Sequence, residues 1–408
     1  MLFYCKQTLF FACFFASFGV ANAQSCSNYG ETQEIKIKSD VYKRNRTILV
    51  KVPFDYDQTK AHYPTLYALD ANDPIKFQYL CSAIDNLVQA EALPPMIICG
   101  IVPEQDKRNY ELTPPATTLA LQQKPYGGAD RTLNYIEKDL IPFIDGNYRT
   151  CGARVLYGHS FAGLFTTYAM IKKPNLFRGY IAISPALWYN NESYVEKIDS
   201  FAQSKEAYSR FFYFSVGDRG ETELSIRPSV FKVYDRLKAQ SAKLFHWQFL
   251  ELHDKNHTAG PVLALPEALS FIFRDWLFPE EFIAKIQSGE SDPITAIEGH
   301  YTRVKNLYDA TIEPSLNDFT YSMAIPYMQR GNTMKAKAIL AEALNIYPNS
   351  AFIYECIGDA LAKEGDWSAA KINYKTAVDK LQDREKRFAV GLNDKIRSAE
   401  RNIAERGN

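Results

Sequence analysis

Residues 153–167 carry the sequence Ala-Arg-Val-Leu-Tyr-Gly-His-Ser-Phe-Ala-Gly-Leu-Phe-Thr-Thr, in which one serine separates a short apolar run from an amphipathic helical pattern. A strand, a sharp turn and a helix in this order expose a serine hydroxyl above the end of a sheet, an arrangement called a nucleophile elbow. Gly158 and Ala162 flank Ser160 at the two positions where a larger side chain would collide, and Ala162 replaces the second glycine of the usual G-x-S-x-G. Ser160 is therefore the candidate nucleophile.

Other short apolar runs lie on both sides of this elbow and are separated by longer segments with helical spacing. They cover residues 65–69, 96–102, 179–183, 211–216 and 247–252. This alternation predicts an α/β fold with a mostly parallel sheet and helices on both faces. Residues 32–52 instead alternate with period two across a polar turn, which predicts an antiparallel hairpin. In such a sheet the chemistry collects at the carboxyl ends of the strands, where Ser160 is expected.

The strands are expected to stop near Pro279, and a repeat follows. The segments that begin at Gly331 and Gly365 align with a shift of 34 residues (365 − 331), a period typical of tetratricopeptide-like helix pairs. The predicted division is an α/β domain at 24–279, a helical linker at 280–316, two tetratricopeptide-like helix pairs at 317–384 and a C-terminal helix at 385–408. An ordinary helical hairpin is the simpler alternative. Two repeats are fewer than usual for independent stability, so packing against other parts of the chain or a second copy is expected.

The N-terminal 23 residues predict a cleaved signal peptide. Lys6 supplies the positive charge, residues 8–20 are nearly all apolar, and Ala21-Asn22-Ala23 is a small-x-small cleavage site. We therefore expect a periplasmic or secreted protein with no membrane span after cleavage. A retained anchor is the alternative, although the apolar run is short for a bilayer.

Charge and cysteine content exclude several other classes. The chain has 47 basic and 47 acidic residues, so its formal net charge is zero and no nucleic-acid partner is expected. Five cysteines would remain after signal cleavage, an odd number whose spacing matches neither a disulfide framework nor a metal site. They are Cys26, Cys81, Cys99, Cys151 and Cys356.

A serine nucleophile needs a histidine as its base, and the loop Glu251-Leu-His-Asp-Lys-Asn-His-Thr-Ala-Gly offers two. This loop follows the last apolar run, so it would lie at the strand edge beside the elbow. We choose His257 over His253 because it lies deeper in the loop. The spacing of these two histidines could also suggest a metal pair, but no helix fixes them and no third ligand is apparent, so no metal is expected.

The acid and the oxyanion hole are harder to assign from sequence. The loop after 211–216 offers Asp218, Glu221 and Glu223, and we choose Glu221 as the acid, with Asp218 the first alternative. The backbone N–H of Phe161 and that of Ala71, in the loop after the first parallel strand, are the expected oxyanion donors.

These segments together resemble the esterase family of α/β hydrolases that includes esterase D, ferric-enterobactin esterases and feruloyl esterases. The matching segments begin at Leu66, Arg108, Ile136, Gly158 and Ile183 and end with Asn256-His257, in the order found in the family. The resemblance covers about residues 31–277 and extends to a subgroup with carboxyl-terminal tetratricopeptide-like helices. It implies an α/β-hydrolase fold and a serine triad that needs no cofactor.

The predicted function is hydrolysis of a small-molecule ester through an acyl-enzyme. Siderophore lactones, acylated sugars, feruloyl esters and acyl thioesters are all compatible with the resemblance, and a peptidase would use the same residues. Arg108 could hold an anionic substrate group or form a surface ion pair, and His159 and Trp188 are expected to contact substrate. The rival hypothesis is a non-enzymatic interaction protein in which the repeats bind a protein partner or a second copy and the α/β domain is a scaffold.

Overall fold

The structure is a computed structural model that describes residues 29–240 and 245–406. The predicted signal peptide and Cys26 lie outside the described residues. The strands within this part of the chain are β1 (Gln33–Ser39), β2 (Arg44–Lys51), β3 (Tyr63–Ala68), β4 (Ile97–Ile101), β5 (Thr150–His159), β6 (Gly179–Ile183), β7 (Phe211–Gly217) and β8 (His246–Leu252).

Helices separate the strands after β3 and form every longer element after β8. In chain order the α-helices of the described residues are α1 (Pro74–Gln89), α2 (Arg108–Leu112), α3 (Leu119–Gln122), α4 (Ala129–Tyr135), α5 (Ile141–Asn147), α6 (Phe161–Lys172), α7 (Tyr189–Ala202), α8 (Glu221–Ala239), α9 (Gly260–Phe273), α10 (Glu280–Ser288), α11 (Pro293–Tyr308), α12 (Ile325–Gln329), α13 (Thr333–Ile346), α14 (Ala351–Glu364), α15 (Trp367–Lys380) and α16 (Ala389–Arg406). A π-helical turn, Ile136–Leu140, joins α4 to α5, and another, Asp318–Ala324, leads into α12.

The described strands form one mixed sheet in the order β1-β2-β4-β3-β5-β6-β7-β8. The predicted hairpin is confirmed, because β1 pairs antiparallel with β2 from Gln33–Val50 to Ser39–Arg44. β2 is also antiparallel to β4. The remaining strands are parallel to one another, in the sheet order β4, β3, β5, β6, β7 and β8. The carboxyl ends of the parallel strands therefore lie along one edge of the sheet.

Two apolar cores lie on the two faces of the sheet, as predicted for an α/β fold. Strand β7 contributes to both, since successive side chains of a strand point to opposite faces. Phe212 and Phe214 pack in one core with α6, α7 and α8, whereas Phe211 and Tyr213 pack in the other with α1 and α9. Burial of β7 on both faces explains why its sequence is a continuous apolar run.

The carboxyl-terminal region is all helical. Helices α13 and α15 have the same length, begin 34 residues apart (367 − 333) and are capped alike, by the side chains of Asn332 and Asp366. Ala336, Ala343, Ala370 and Ala377 are fully buried. Gly358 of α14 lies so close to α15 that an added Cβ would stand 2.4 Å from the ring of Tyr374. The aligned small residues of the sequence are therefore positions of close helix packing.

This helical region is attached to the sheet at the amino ends of the strands. The Lys60 amide donates to the carbonyl of Ile346 at 2.7 Å, and the Thr311 amide donates to the carbonyl of Cys151 at 2.8 Å. The ring of Tyr308 stacks on Phe211 at the start of β7, with 5.4 Å between centroids. The helices thus cover the edge opposite to the one that holds Ser160.

Candidate active site

Ser160 lies on a strained turn between β5 and α6. Its backbone has φ 63° and ψ −119°, a conformation that costs a non-glycine residue free energy. Its N–H donates to Ile183 at 3.0 Å and its carbonyl accepts from Ala186 at 3.2 Å, so the neighbouring β6 loop holds the turn. A Cβ on Gly158 would stand 2.2 Å from the carbonyl oxygen of Ala162, which explains the glycine two residues before the serine. The local geometry is that of the predicted elbow.

His257 forms a hydrogen-bonded pair with Glu223. The His257 Nδ1 and the Glu223 Oε1 are 2.7 Å apart, and the second carboxylate oxygen accepts from the N–H of Gly217 at 2.8 Å. The Glu223 side chain is fully buried, while that of His257 is 20% exposed. Burial would raise the pKa of Glu223, but its hydrogen bonds, that with His257 foremost, outweigh burial and lower that pKa. The carboxylate is thus ionised and oriented toward the imidazole.

This pairing corrects the choice of Glu221 as the acid. Helix α8 begins at Glu221, whose side chain is exposed, and Glu223 lies two residues further along the same helix. A separation of two residues rotates a side chain by about 200° around a helix, so only one of the two carboxylates can face His257. Asp218, the first alternative, lies nearer to His253, with 3.4 Å between Asp218 Oδ2 and His253 Nδ1.

The structure also separates His253 from His257. The side chain of His253 is 73% exposed, and with Asp218 and Glu251 it brings three ligand-type atoms within 4.8 Å of one another. The carboxylate of Glu251 is already paired with the guanidinium of Arg227. His257 is not part of this group, so the two histidines do not form the metal pair that their spacing could suggest.

His159 packs directly on His257. The two ring centroids are 4.3 Å apart, which brings His257 against the residue immediately before Ser160. Burial, together with electrostatic interaction with the neighbouring His257, Lys76 and Arg108, lowers the pKa of His159 to about 3. His159 is therefore a neutral ring next to the candidate base.

The expected oxyanion donor Ala71 is not available for that role. Its N–H donates to the carbonyl of Ile101 at 3.1 Å, as part of the contact between the loop after β3 and the end of β4. In the part of the chain that the structure describes, the next amide, that of Asn72, donates to no backbone carbonyl. The Phe161 N–H is the first of α6 and so has no partner within the helix. The Phe161 and Asn72 amides are thus two donors near the elbow that have no backbone acceptor among the described residues.

An aromatic wall borders the elbow on the α6 side. We use this name for Tyr126, Phe161, Trp188 and Tyr189, whose neighbouring ring centroids are 5.8–6.4 Å apart. Trp188, a predicted substrate contact, is 40% exposed and Tyr189 is buried. The wall is anchored to the loop before α3, since the Tyr189 hydroxyl donates to the carbonyl of Pro114 at 2.9 Å.

Arg108, a further candidate substrate contact, is engaged within the protein. Its Nε and Nη2 donate to the two carboxylate oxygens of Asp70 at 2.7 and 2.6 Å. A cavity of about 210 Å³ lies beside this pair, between the loop after β3, the start of α1, His159 and Pro261. The ion pair, one of the two alternatives for Arg108, is therefore the one that the structure contains.

Comparison with known proteins identifies the family. Residues 39–243, half of the chain, match the family described as Putative esterase, so the chain belongs to this family. The ferri-bacillibactin esterase BesA of Bacillus subtilis is 27% identical over 230 residues, which are 52% of this chain and 79% of BesA. The chain is thus a carboxylic ester hydrolase, and its α/β domain is more than an inert scaffold.

Solved structures share the fold over a larger part of the chain. An IroE-like serine hydrolase from Shewanella oneidensis has a TM-score of 0.63 at 22% identity, covering 77% of this chain and 99% of its own. An uncharacterised protein from Capnocytophaga ochracea has a TM-score of 0.59 at 16% identity and covers 91% of this chain and 99% of its own. The shared fold therefore extends beyond the strands into the carboxyl-terminal helices.

Two further expectations concern thiols and membranes. Cys81, Cys99, Cys151 and Cys356 are buried and unbridged, and burial raises the pKa of the Cys81 thiol to about 12. Across residues 29–240 and 245–406, no helix combines the length and apolar character needed to cross a bilayer.

Proposed function

We propose that this chain is an exported serine esterase that works through Ser160, His257 and Glu223. The 2.7 Å hydrogen bond between His257 and Glu223, beside a serine in the elbow conformation, is the observation that carries the proposal. Because Nδ1 is held by the carboxylate, Nε2 of His257 is the nitrogen left to exchange a proton with the serine. Export rests on the sequence pattern of residues 1–23.

The reaction follows from these roles. The Ser160 oxygen attacks the ester carbonyl carbon while His257 accepts the hydroxyl proton, and Glu223 stabilises the imidazolium that forms. The tetrahedral intermediate expels the alcohol, which takes its proton from His257 and leaves the acyl group on Ser160. Water, activated by the same imidazole, then releases the acid and restores the serine.

The negative charge of the intermediate needs two donors. We assign the Phe161 N–H, as predicted from the sequence, and replace Ala71 with Asn72. Both amides are free of backbone acceptors in the described residues, and such donors contribute most when they are fixed before the reaction begins.

For the substrate we propose an ester that carries flat aromatic groups, as in siderophore lactones or feruloyl esters, with acylated sugars as the alternative. The aromatic wall beside Ser160 supports this proposal, because aromatic rings pack favourably against other aromatic rings. The name of the relative BesA supports the siderophore class. Rates on a catecholate trilactone, a feruloyl ester and a sugar acetate decide the question, and the fastest turnover on the sugar acetate would contradict it.

We also propose that 317–384 forms two tetratricopeptide-like helix pairs that bind a protein partner or a second copy of the chain. The 34-residue offset of α13 and α15 and the close contact of Gly358 with Tyr374 support this reading. Light scattering of the purified protein, with and without α16, tests self-association.

The catalytic proposal is tested with Ser160→Ala. Loss of the nucleophile is expected to lower kcat for p-nitrophenyl butyrate by about 10³-fold or more, and a fluorophosphonate is expected to label Ser160 of the wild type. Ser225→Ala, at an exposed serine of α8, is the control and should keep full activity. Equal activity in Ser160→Ala, or labelling at another residue, would contradict the proposal.

A further inference from the structure

Arg108 contacts both segments that carry the proposed oxyanion donors. Its guanidinium binds the Asp70 carboxylate at two points, and Nη2 also lies 3.5 Å from the carbonyl oxygen of His159. Asp70 stands two residues before Asn72, and His159 stands two residues before Phe161. The Arg108 side chain therefore links the loop after β3 to the elbow. Each residue that it contacts lies two positions before a proposed oxyanion donor.

The loop after β3 needs such an anchor. Asp70 has φ 61°, a left-handed conformation that is unfavourable for a residue with a Cβ. Its position is fixed by the two-point bond to Arg108, and that of Ala71 by its amide bond to Ile101. Without the first of these bonds, Asp70 could relax and move the amide of Asn72.

The helix that carries Arg108 is held to the sheet by a second ion pair. Arg108 lies on α2, a helix of five residues, and Glu111 of the same helix binds Arg46 of β2 with both side chains 3% exposed. The Arg46 guanidinium lies 4.3 Å above the ring of Tyr42, so it is packed as well as charged. A buried pair with this geometry connects α2 to the sheet and gives Arg108 a fixed base.

We infer that Arg108 is a positioning residue, which holds the Asn72 and Phe161 amides at the spacing that the oxyanion requires. This inference rests on the proposed function, because it assigns a role within the Ser160 reaction. It replaces the expectation that Arg108 binds an anionic substrate group. The two roles differ in their kinetics, since a positioning residue acts on kcat for every ester, whereas an anion-binding residue acts on KM for charged esters only.

The test compares Arg108→Gln and Arg108→Lys on a neutral ester, p-nitrophenyl butyrate, and an anionic one, mono-p-nitrophenyl glutarate. We expect kcat of Arg108→Gln to fall by about 10–10²-fold on both esters with KM changed less than about threefold. Arg108→Lys should recover only part of kcat, because an ammonium cannot make the two-point contact. The control is Arg44→Gln, which removes an exposed guanidinium paired with Glu104 on the neighbouring surface and should leave both constants unchanged.

A second readout separates this inference from the proposed function. The rate of fluorophosphonate labelling at Ser160 should fall with kcat, because the phosphonyl oxygen occupies the same oxyanion hole. Asp70→Asn should lower both rates similarly, and the double variant with Arg108→Gln should be no worse than the single ones, since the pair acts as a unit. If Arg108→Gln does not fold, judged by circular dichroism, Asp70→Asn carries the test.

Three results would contradict the roles proposed for Arg108 or Ser160. A rise in KM for the glutarate ester alone would make Arg108 an anion-binding residue. Wild-type kcat and labelling rates in the Arg108 and Asp70 variants would remove the positioning role while leaving Ser160 as nucleophile. Absence of labelling at Ser160 in the wild type would instead contradict the proposed function.

Discussion

The carboxyl and amino edges of the parallel strands differ in what covers them. At the carboxyl edge, Ser160 and Ser184 follow β5 and β6 directly, Asp70 lies two residues after the end of β3, and all three have positive φ. At the amino edge the ends of β3, β5 and β7 are covered by residues 308–349 and make ordinary backbone hydrogen bonds. Ser209 and Asp309 at the amino edge also have positive φ, so the two edges differ in what covers them more than in backbone strain: the candidate site lies at the open edge, and helices pack against the other.

Exposed apolar side chains show the same asymmetry. Among the described residues before 279, large apolar side chains that are exposed occur mostly on segments that follow strand carboxyl ends. They are Ile75, Leu119, Trp188, Leu224, Val262 and Leu263. Only Phe54 and Tyr208 lie toward the amino edge. Trp188 belongs to the aromatic wall beside Ser160, and Val262 and Leu263 lie in the first turn of α9 after the His257 loop, so the open edge offers apolar side chains to a substrate whereas the covered edge uses them in packing.

The largest expected effect lies at the carboxyl edge, where the two carboxylates at the start of α8 should differ in their importance for kcat. Glu223→Gln removes the charge that orients His257, so kcat should fall by about 10²–10⁴-fold. Glu221→Gln changes an exposed carboxylate and should alter kcat by less than about twofold. Steady-state kinetics on p-nitrophenyl butyrate measure both, and similar losses in the two variants would contradict the pairing seen in the structure.

The matching change at the amino edge should affect stability and leave catalysis intact. Tyr308 is 1% exposed, stacks on Phe211 and donates its hydroxyl to Ile272 at 2.6 Å. Tyr308→Ala should lower the free energy of unfolding by about 3–5 kcal/mol through the cavity it leaves. Urea denaturation measures this loss, with Tyr208→Ala, at a residue 57% exposed, as the control. A large fall in kcat of the folded Tyr308→Ala protein would break the division between the edges.

A smaller effect concerns acid stability and His159. The folded protein keeps this ring neutral down to a pKa of about 3, whereas an unfolded chain takes up the proton near pH 6.5. Below pH 6.5 the unfolded state therefore binds more protons, and stability falls as the pH falls. Between pH 7 and pH 5 the wild type should lose about 1–2 kcal/mol more than His159→Asn, measured by urea denaturation at each pH. Parallel pH curves for the two proteins would show that the ring is not held neutral.

The local patterns of the sequence determined most of the fold. The period-two segment 32–52, the apolar runs and the elbow each depend on neighbours within a few residues, so strands, hairpin and turn could be predicted directly. His257, chosen over His253 as the base, is 20% exposed and paired with Glu223, whereas His253 is 73% exposed; its role as base stays a prediction. The bond from Gly217 to Glu223, by contrast, depends on where α8 begins, and no capping residue in Arg219-Gly220-Glu221 marks that point.

Three assignments were decided only by tertiary structure, for one physical reason. The proposed acid Glu223, the occupied amide of Ala71 and the ion pair of Arg108 with Asp70 each depend on a hydrogen-bond partner 30 to 38 residues away. Sequence spacing limits which residue types are available, but the donor that meets a given acceptor is set by strand register and helix rotation after the chain has folded. The amino acids alone thus determine the chemistry that this edge of the sheet can perform, and the packing of distant segments selects the atoms that perform it.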